Sequence, residues 1–161
     1  ADNSKLSCRI NGLEKFSPKR LILDKNLKIK KNSPVINDKN KSETIIFHST
    51  KDKKKLSYFK SKGIRLMYID LDSNNNIDLK KVFLKAYSIG IGSIIIEGGK
   101  SLTKSLLKNK LINEFYLFKN KNNLGKLGKN NISDFLKKIN YFKKRENIET
   151  FLEGDKIIRY Y

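Results

Sequence analysis

Tryptophan is absent from this 161-residue chain, proline occurs twice, and cysteine, methionine and histidine occur once each. A lone Cys8 excludes an internal disulfide and fits a reducing compartment. With His48 as its only imidazole, the chain cannot assemble a His/Cys metal site, which argues against zinc chemistry. No apolar run approaches the length of a membrane span and no signal peptide marks the first residues. Both readings point to a cytoplasmic protein without a membrane partner.

Acid is also scarce. Sixteen Asp and Glu face 36 Lys and Arg, a net charge of +20. Nucleic acid is the obvious partner for such a chain. The basic residues, however, are mostly lysines spread over the whole length and interleaved with Asn and Ile, as in Lys25-Asn26-Leu27-Lys28-Ile29-Lys30-Lys31-Asn32. Arginine, the better fork for bases and phosphates, is rare. The pattern reads as a composition bias on solvated faces, so nucleic acid is not the expected partner. A cationic surface also steers small phosphorylated ligands.

What is present is a set of clean apolar runs, enough for one domain with a real core. Strands are predicted over 19–24, 44–50 and 64–69. A basic helix over 51–62 shows Leu56 and Phe59 to the core and ends at Gly63. Residues 25–43 read as a polar connection with few apolar anchors. Asp78 is the expected N-cap of a helix over 79–88, with Leu79, Val82, Phe83 and Ala86 at helical spacing and Gly90 as its stop. A strand over 114–118 follows, then a Lys/Asn/Gly-rich loop over 119–131, a short helical piece over 135–139, and closing strands over 139–144 and 157–161 around a Glu153-Gly154-Asp155 turn. Strands alternating with helices argue for a parallel core, and the strand-rich tail for antiparallel strands at one edge. The fold class is α/β with a mixed sheet.

The stretch with the most chemistry is Ser93-Ile94-Ile95-Ile96-Glu97-Gly98-Gly99, running into Lys100-Ser101-Leu102-Thr103-Lys104-Ser105. Three consecutive Ile predict a fully buried strand. Paired glycines then open a helix, an arrangement that lets backbone N–H groups approach a phosphate at the positive end of a helix dipole. Glu97 falls at the carboxyl end of the strand, where open α/β sheets place their ligands. The alternative is a plain strand–turn–helix joint. The segment is neither a full GxGxxG nor a GxxxxGK[ST] motif.

Four segments, in order, carry a family resemblance: Asp2-Asn3-Ser4-Lys5-Leu6-Ser7-Cys8-Arg9, Pro18-Lys19-Arg20-Leu21-Ile22-Leu23-Asp24, Gly92-Ser93-Ile94-Ile95-Ile96-Glu97-Gly98-Gly99 and Leu111-Ile112-Asn113-Glu114-Phe115. Together they resemble the C-terminal reductase domain of the bacterial bifunctional riboflavin-biosynthesis deaminase–reductase. The resemblance implies a three-layer, dihydrofolate-reductase-like mixed sheet, with a parallel core and antiparallel C-terminal edge strands. It implies NADPH-dependent reduction of 5-amino-6-(5-phosphoribosylamino)uracil to its ribitylamino product, and a homodimer.

Carried over by position, Arg9 takes the substrate phosphate, Leu6 makes an apolar substrate contact and Glu97 touches the substrate. Asp2, Lys25, Gly99, Lys100, Ser101, Leu102, Thr103, Lys104 and Ser105 contact the cofactor, with Lys25 near the adenosine 2′-phosphate. Ser49, Thr50 and Lys51 assist from the neighbouring strand end by geometry alone. Arg9 as a surface ion pair, Leu6 as a core residue and His48 as a structural histidine are the alternatives. Ser4 and Asn113 stand where the family has Pro and Asp. An earlier family strand and the zinc deaminase signature have no counterpart in these residues, so the chain is expected to be a C-terminal piece of a longer protein. A non-catalytic basic module that binds nucleic acid or a partner remains the competing reading.

Overall fold

The computed structural model of the chain describes residues 5–122, 136–151 and 153–161. The chain forms two compact units, Ala1–Gly92 and Ser93–Tyr161, and each holds one three-stranded sheet.

In the first unit β1 (Arg20–Leu23), β2 (Thr44–His48) and β3 (Arg65–Tyr68) lie side by side in that order, all parallel. Every residue of β2 is buried, as a central strand covered on both faces requires. The register sets Ile22, Ile46 and Leu66 in one row. Against that row pack Leu56 and Phe59 of α1 (Lys53–Ser61). The polar connection before β2 holds more core than expected. Leu27, Val35 and Ile36 are buried in the same cluster, the last two in a 3-10 turn opened by Pro34. Arg20 anchors this connection from inside the sheet. Its buried guanidinium donates to both carboxylate oxygens of Asp38, at 2.6 and 2.9 Å, and to the Lys5 carbonyl. That pairing holds the Asp38 carboxyl below the usual carboxylate range.

The helices start where side-chain chemistry dictates. Asp52 accepts from the Lys54 and Lys55 amides at the head of α1, and Asp78 from the Lys80 and Lys81 amides at the head of α2 (Leu79–Tyr87). Gly63 and Gly90, just past the ends of these helices, sit at φ +78° and +85°. Val82 and Ala86 of α2 are buried.

The second unit contains α3 (Lys100–Lys108), β4 (Phe115–Lys119), β5 (Arg145–Ile148) and β6 (Lys156–Tyr160), with strand order β4-β6-β5 and antiparallel pairing throughout. Leu107 of α3 and Ile139, in a 3-10 turn over Lys137–Tyr141, form its core with Phe115, Phe142 and Tyr160 around them. On the opposite sheet face Arg159 bridges Glu114 and Glu146, at 3.0 and 2.9 Å, and its guanidinium stacks 4.6 Å from the Tyr161 ring.

The α/β class with parallel and antiparallel parts is as expected, and the two parts are separate sheets. Two strand assignments need correction. Residues 93–96 form no strand: Ile95 is 90% exposed and residues 93–97 make no backbone hydrogen bonds among the described residues. Branched side chains favour extended backbone, but a strand exists only where a neighbour completes the ladder. The first closing strand lies at Arg145–Ile148 rather than over 139–144, because Ile139 and Phe142 are used for packing while Arg145, Glu146 and Asn147 make the ladder. Asp2, residues 123–131 of the expected loop and Phe135 lie outside the described residues.

Candidate functional site

The expected site residues fall into two groups, one on each unit. In the first unit, the segment carrying Leu6 and Arg9 is tied down on both sides. The Lys5 carbonyl accepts from buried Arg20, and the Cys8 amide donates to Ser17 Oγ at 3.1 Å. Between these ties Leu6 holds φ +50°, a left-handed conformation that costs a leucine roughly 1–2 kcal/mol. Such conformations concentrate where a loop is shaped for a ligand. Arg9 is exposed and makes no ion pair or hydrogen bond among the described residues, so its five donors are free. Leu6 is half-buried and is not among the described residues packed in the cluster around Ile46.

Lys25 lies at the carboxyl edge of the parallel sheet, just beyond β1. Its backbone carbonyl accepts from the Ser49 amide at 2.9 Å, which joins the ends of β1 and β2. Its ammonium donates to the Asn75 carbonyl and, at 3.0 Å, to Asn75 Oδ1. Asn75, at φ +60°, is the tip of a turn nucleated by Asp72, whose Oδ1 accepts from the Asn74 and Asn76 amides. Asn75 is the residue sequence reading missed; the Asn74-Asn75-Asn76 run was a signal for a left-handed tip. Ser49 Oγ donates to the Ile69 carbonyl at 2.7 Å and Thr50 Oγ1 accepts from the Asp52 amide. These two hydroxyls therefore hold strand and helix ends together, and Lys51 beside them is exposed.

His48 is buried, with its ring edge-to-face to Tyr68 at 5.9 Å and Nδ1 without a hydrogen-bond partner. Burial pushes its pKa below the ordinary histidine value. A neutral packed imidazole is the structural role expected for it.

In the second unit, Glu97 is exposed and makes no ion pair or hydrogen bond among the described residues. Gly98 and Gly99 follow. A Cβ on Gly98 would meet Leu102 Cδ2 at 2.9 Å and Cβ at 3.2 Å, so any larger residue here makes the Leu102 side chain shift. Gly99 is the N-cap, with φ −72°, and open space surrounds its missing Cβ. Unlike α1 and α2, α3 has no side-chain cap, and like them it has no acid in its first turn. The amides of Lys100, Ser101 and Leu102 therefore lack the acceptor that Asp52 and Asp78 supply elsewhere. Thr103 is turned inward, its amide donating to the Gly99 carbonyl and its hydroxyl reaching toward Gly98 O at 3.4 Å. Lys104 and Ser101 are exposed, while Lys100 and Ser105 are half-buried. Free amides, a glycine approach and two nearby ammonium groups suit a diphosphate. The Ile-rich lead-in is exposed coil rather than the buried strand expected before this turn.

Among the described residues no group of three His, Cys, Asp or Glu is placed to hold a metal ion, and no helix is long and apolar enough to cross a membrane. Comparison with known proteins gives a consistent result. A family profile described as the RibD C-terminal domain matches residues 1–143. The chain is 25% identical over 118 residues to the riboflavin biosynthesis protein RibD of Actinobacillus pleuropneumoniae, covering 73% of this chain and 31% of that protein. Its structure is similar to that of Acinetobacter baumannii RibD, with a TM-score of 0.69 at 16% identity, over 99% of this chain and 42% of the other. The chain thus spans less than half the length of these relatives. The structural likeness carries the dihydrofolate-reductase-like fold.

Proposed function

This chain belongs to the RibD C-terminal domain family, a riboflavin-biosynthesis reductase family, and on that premise we propose that it binds NADPH and reduces 5-amino-6-(5-phosphoribosylamino)uracil to the ribitylamino product. The observation that supports this reading best is the uncapped start of α3 behind Gly98 and Gly99. The Lys100, Ser101 and Leu102 amides would take the cofactor diphosphate, with Lys100 and Lys104 balancing its charge. Lys25 would exchange its Asn75 contacts for the 2′-phosphate. NADPH held there would supply a hydride for reduction at C1′ of the opened sugar.

The remaining groups position the substrate. Arg9 presents a planar fork to the ribose phosphate, a geometry that lysine lacks. Glu97 accepts hydrogen bonds from ribose hydroxyls or the pyrimidine ring. The strained Leu6 offers an apolar contact beside Arg9. We place the enzyme in the cytoplasm as a homodimer, with the exposed Tyr116 and Phe118 of β4 on the self-associating face. Light scattering during gel filtration at micromolar concentration tests that state.

Thermal-shift titration with NADPH, NADH and a short DNA duplex tests the binding reading. A ligand at a hundred times its Kd stabilises by about 2.7 kcal/mol. A shift with NADPH that persists at ~0.3 M salt and exceeds that with NADH is expected. A shift with DNA alone, lost in salt, would instead favour the basic binding module.

A further inference from the structure

The described residues cover only part of the inner face of the antiparallel sheet. Its register sets Phe115, Tyr160 and Arg145 in one row, Leu117, Ile158 and Asn147 in the next, and Lys119 with Lys156 in a third. The 3-10 turn at Lys137–Tyr141 packs on the first row through Ile139. Beside it a groove of about 480 Å³ stays open. That volume falls in the range that holds small molecules.

Leu117, Ile139, Phe142 and Tyr160 give the groove an apolar floor, with Asn140 beside them. The Phe142 and Tyr160 rings pack against each other with centroids 6.3 Å apart at 45°, an apolar surface for a further ring to lie on. The rim is Lys119, Lys143, Lys144 and Arg145, with no acid in the lining among the described residues. On the opposite face of the sheet the positive charge of Arg159 is matched. Arg159 holds two carboxylates, and one of them, Glu146, is the sequence neighbour of Arg145. Alternation along β5 puts Glu146 on the opposite face, where Arg159 engages it. The side chains of Lys119, Lys143 and Arg145 make no ion pair or hydrogen bond among the described residues. Cations gathered over an apolar floor repel one another unless an anion joins them.

We propose that this groove binds a small aromatic anion, its ring against Phe142 and Tyr160 and its charged group between Lys143 and Arg145. The site is separate from the start of α3 and does not rest on the reductase reading. Because the chain has no tryptophan, the fluorescence anisotropy of 1-naphthyl phosphate reports binding with little background. Saturable one-to-one binding is expected. It should weaken about tenfold or more in Lys143→Glu/Arg145→Glu, as loss of charge-assisted contacts implies, and hold within about twofold in Lys28→Glu/Lys39→Glu, which changes net charge equally on the other unit. 1-Naphthol, with the ring alone, and inorganic phosphate, with the charge alone, should each bind far more weakly. 1-Naphthoate against 1-naphthyl phosphate distinguishes a carboxylate from a phosphate ligand. If the charge-reversed pair fails to fold by circular dichroism, Lys143→Gln/Arg145→Gln replaces it. Equal losses in the two double variants, competition by inorganic phosphate at the concentration of the aromatic probe, or no saturable binding would overturn the proposal.

Discussion

Two apolar runs of this chain look alike in sequence and end differently. Thr44-Ile45-Ile46-Phe47-His48 is the central strand of a parallel sheet, with all five residues buried. Ser93-Ile94-Ile95-Ile96-Glu97 is coil, with Ile95 almost wholly exposed. Composition does not separate them; neighbours do. β2 has β1 on one side and β3 on the other, while the second run has no ladder partner among the described residues. The helices after them differ in the same sense. α1 starts with its amides satisfied by Asp52, and α3 starts with its amides free behind two glycines. A segment whose backbone groups are all paired is scaffold, and one that leaves them open keeps donors and acceptors available to a ligand.

The largest expected effect follows from burial. Ile46→Ala should cost about 3–4 kcal/mol in urea unfolding, against less than about 0.5 kcal/mol for Ile95→Ala. In hydrogen exchange the Ile46 and Phe47 amides should be strongly protected, and those of residues 94–96 should exchange close to the free-peptide rate. Comparable costs for the two alanines would break the comparison.

A smaller effect concerns the caps. Asp78→Ala should destabilise by about 1 kcal/mol through loss of the Lys80 and Lys81 amide contacts, read as a drop in thermal midpoint. Ser101→Ala, at the head of the uncapped helix, should leave the midpoint nearly unchanged because that side chain caps nothing.

The mildest effect is a pH dependence confined to β2. Burial lowers the folded-state pKa of His48, so below the unfolded value of about 6.5 the unfolded chain binds the extra proton first. Stability is therefore full above about pH 6.5 and declines as pH falls from there toward the folded-state value. His48→Phe should remove this decline from the pH profile of the urea midpoint. A variant profile parallel to the native one between pH 7 and 5 would show that His48 is not its source.

Local features of the fold were legible in the sequence because they rest on local chemistry. Asp78 as a cap, Gly63 and Gly90 as stops, and the burial of Phe59 and Val82 follow from spacing and side-chain type alone. What sequence reading missed depends on distant residues. Residues 94–96 look like a strand until the ladder is sought. Arg145–Ile148 is a strand despite its polar residues because β6 pairs with it. Val35 and Ile36 were hidden in a polar connection that Asp38 and Arg20 fasten inward. At the site, the glycine turn into α3 was readable from Gly98-Gly99. The left-handed Leu6, the hold of Asn75 on Lys25 and the open groove beside Phe142 were not, since each arises from contacts between elements far apart in the chain.

The claim that α3 begins as a diphosphate cradle is tested most directly by Gly99→Asp. The position has ordinary backbone angles and open space for a side chain, so the new carboxylate should cap the helix and raise the thermal midpoint of the free protein, by about 1 kcal/mol in stability. The same carboxylate would occupy the amides and repel phosphate, so the midpoint shift with NADPH should vanish. A full NADPH shift retained in a stabilised Gly99→Asp protein would contradict the reading.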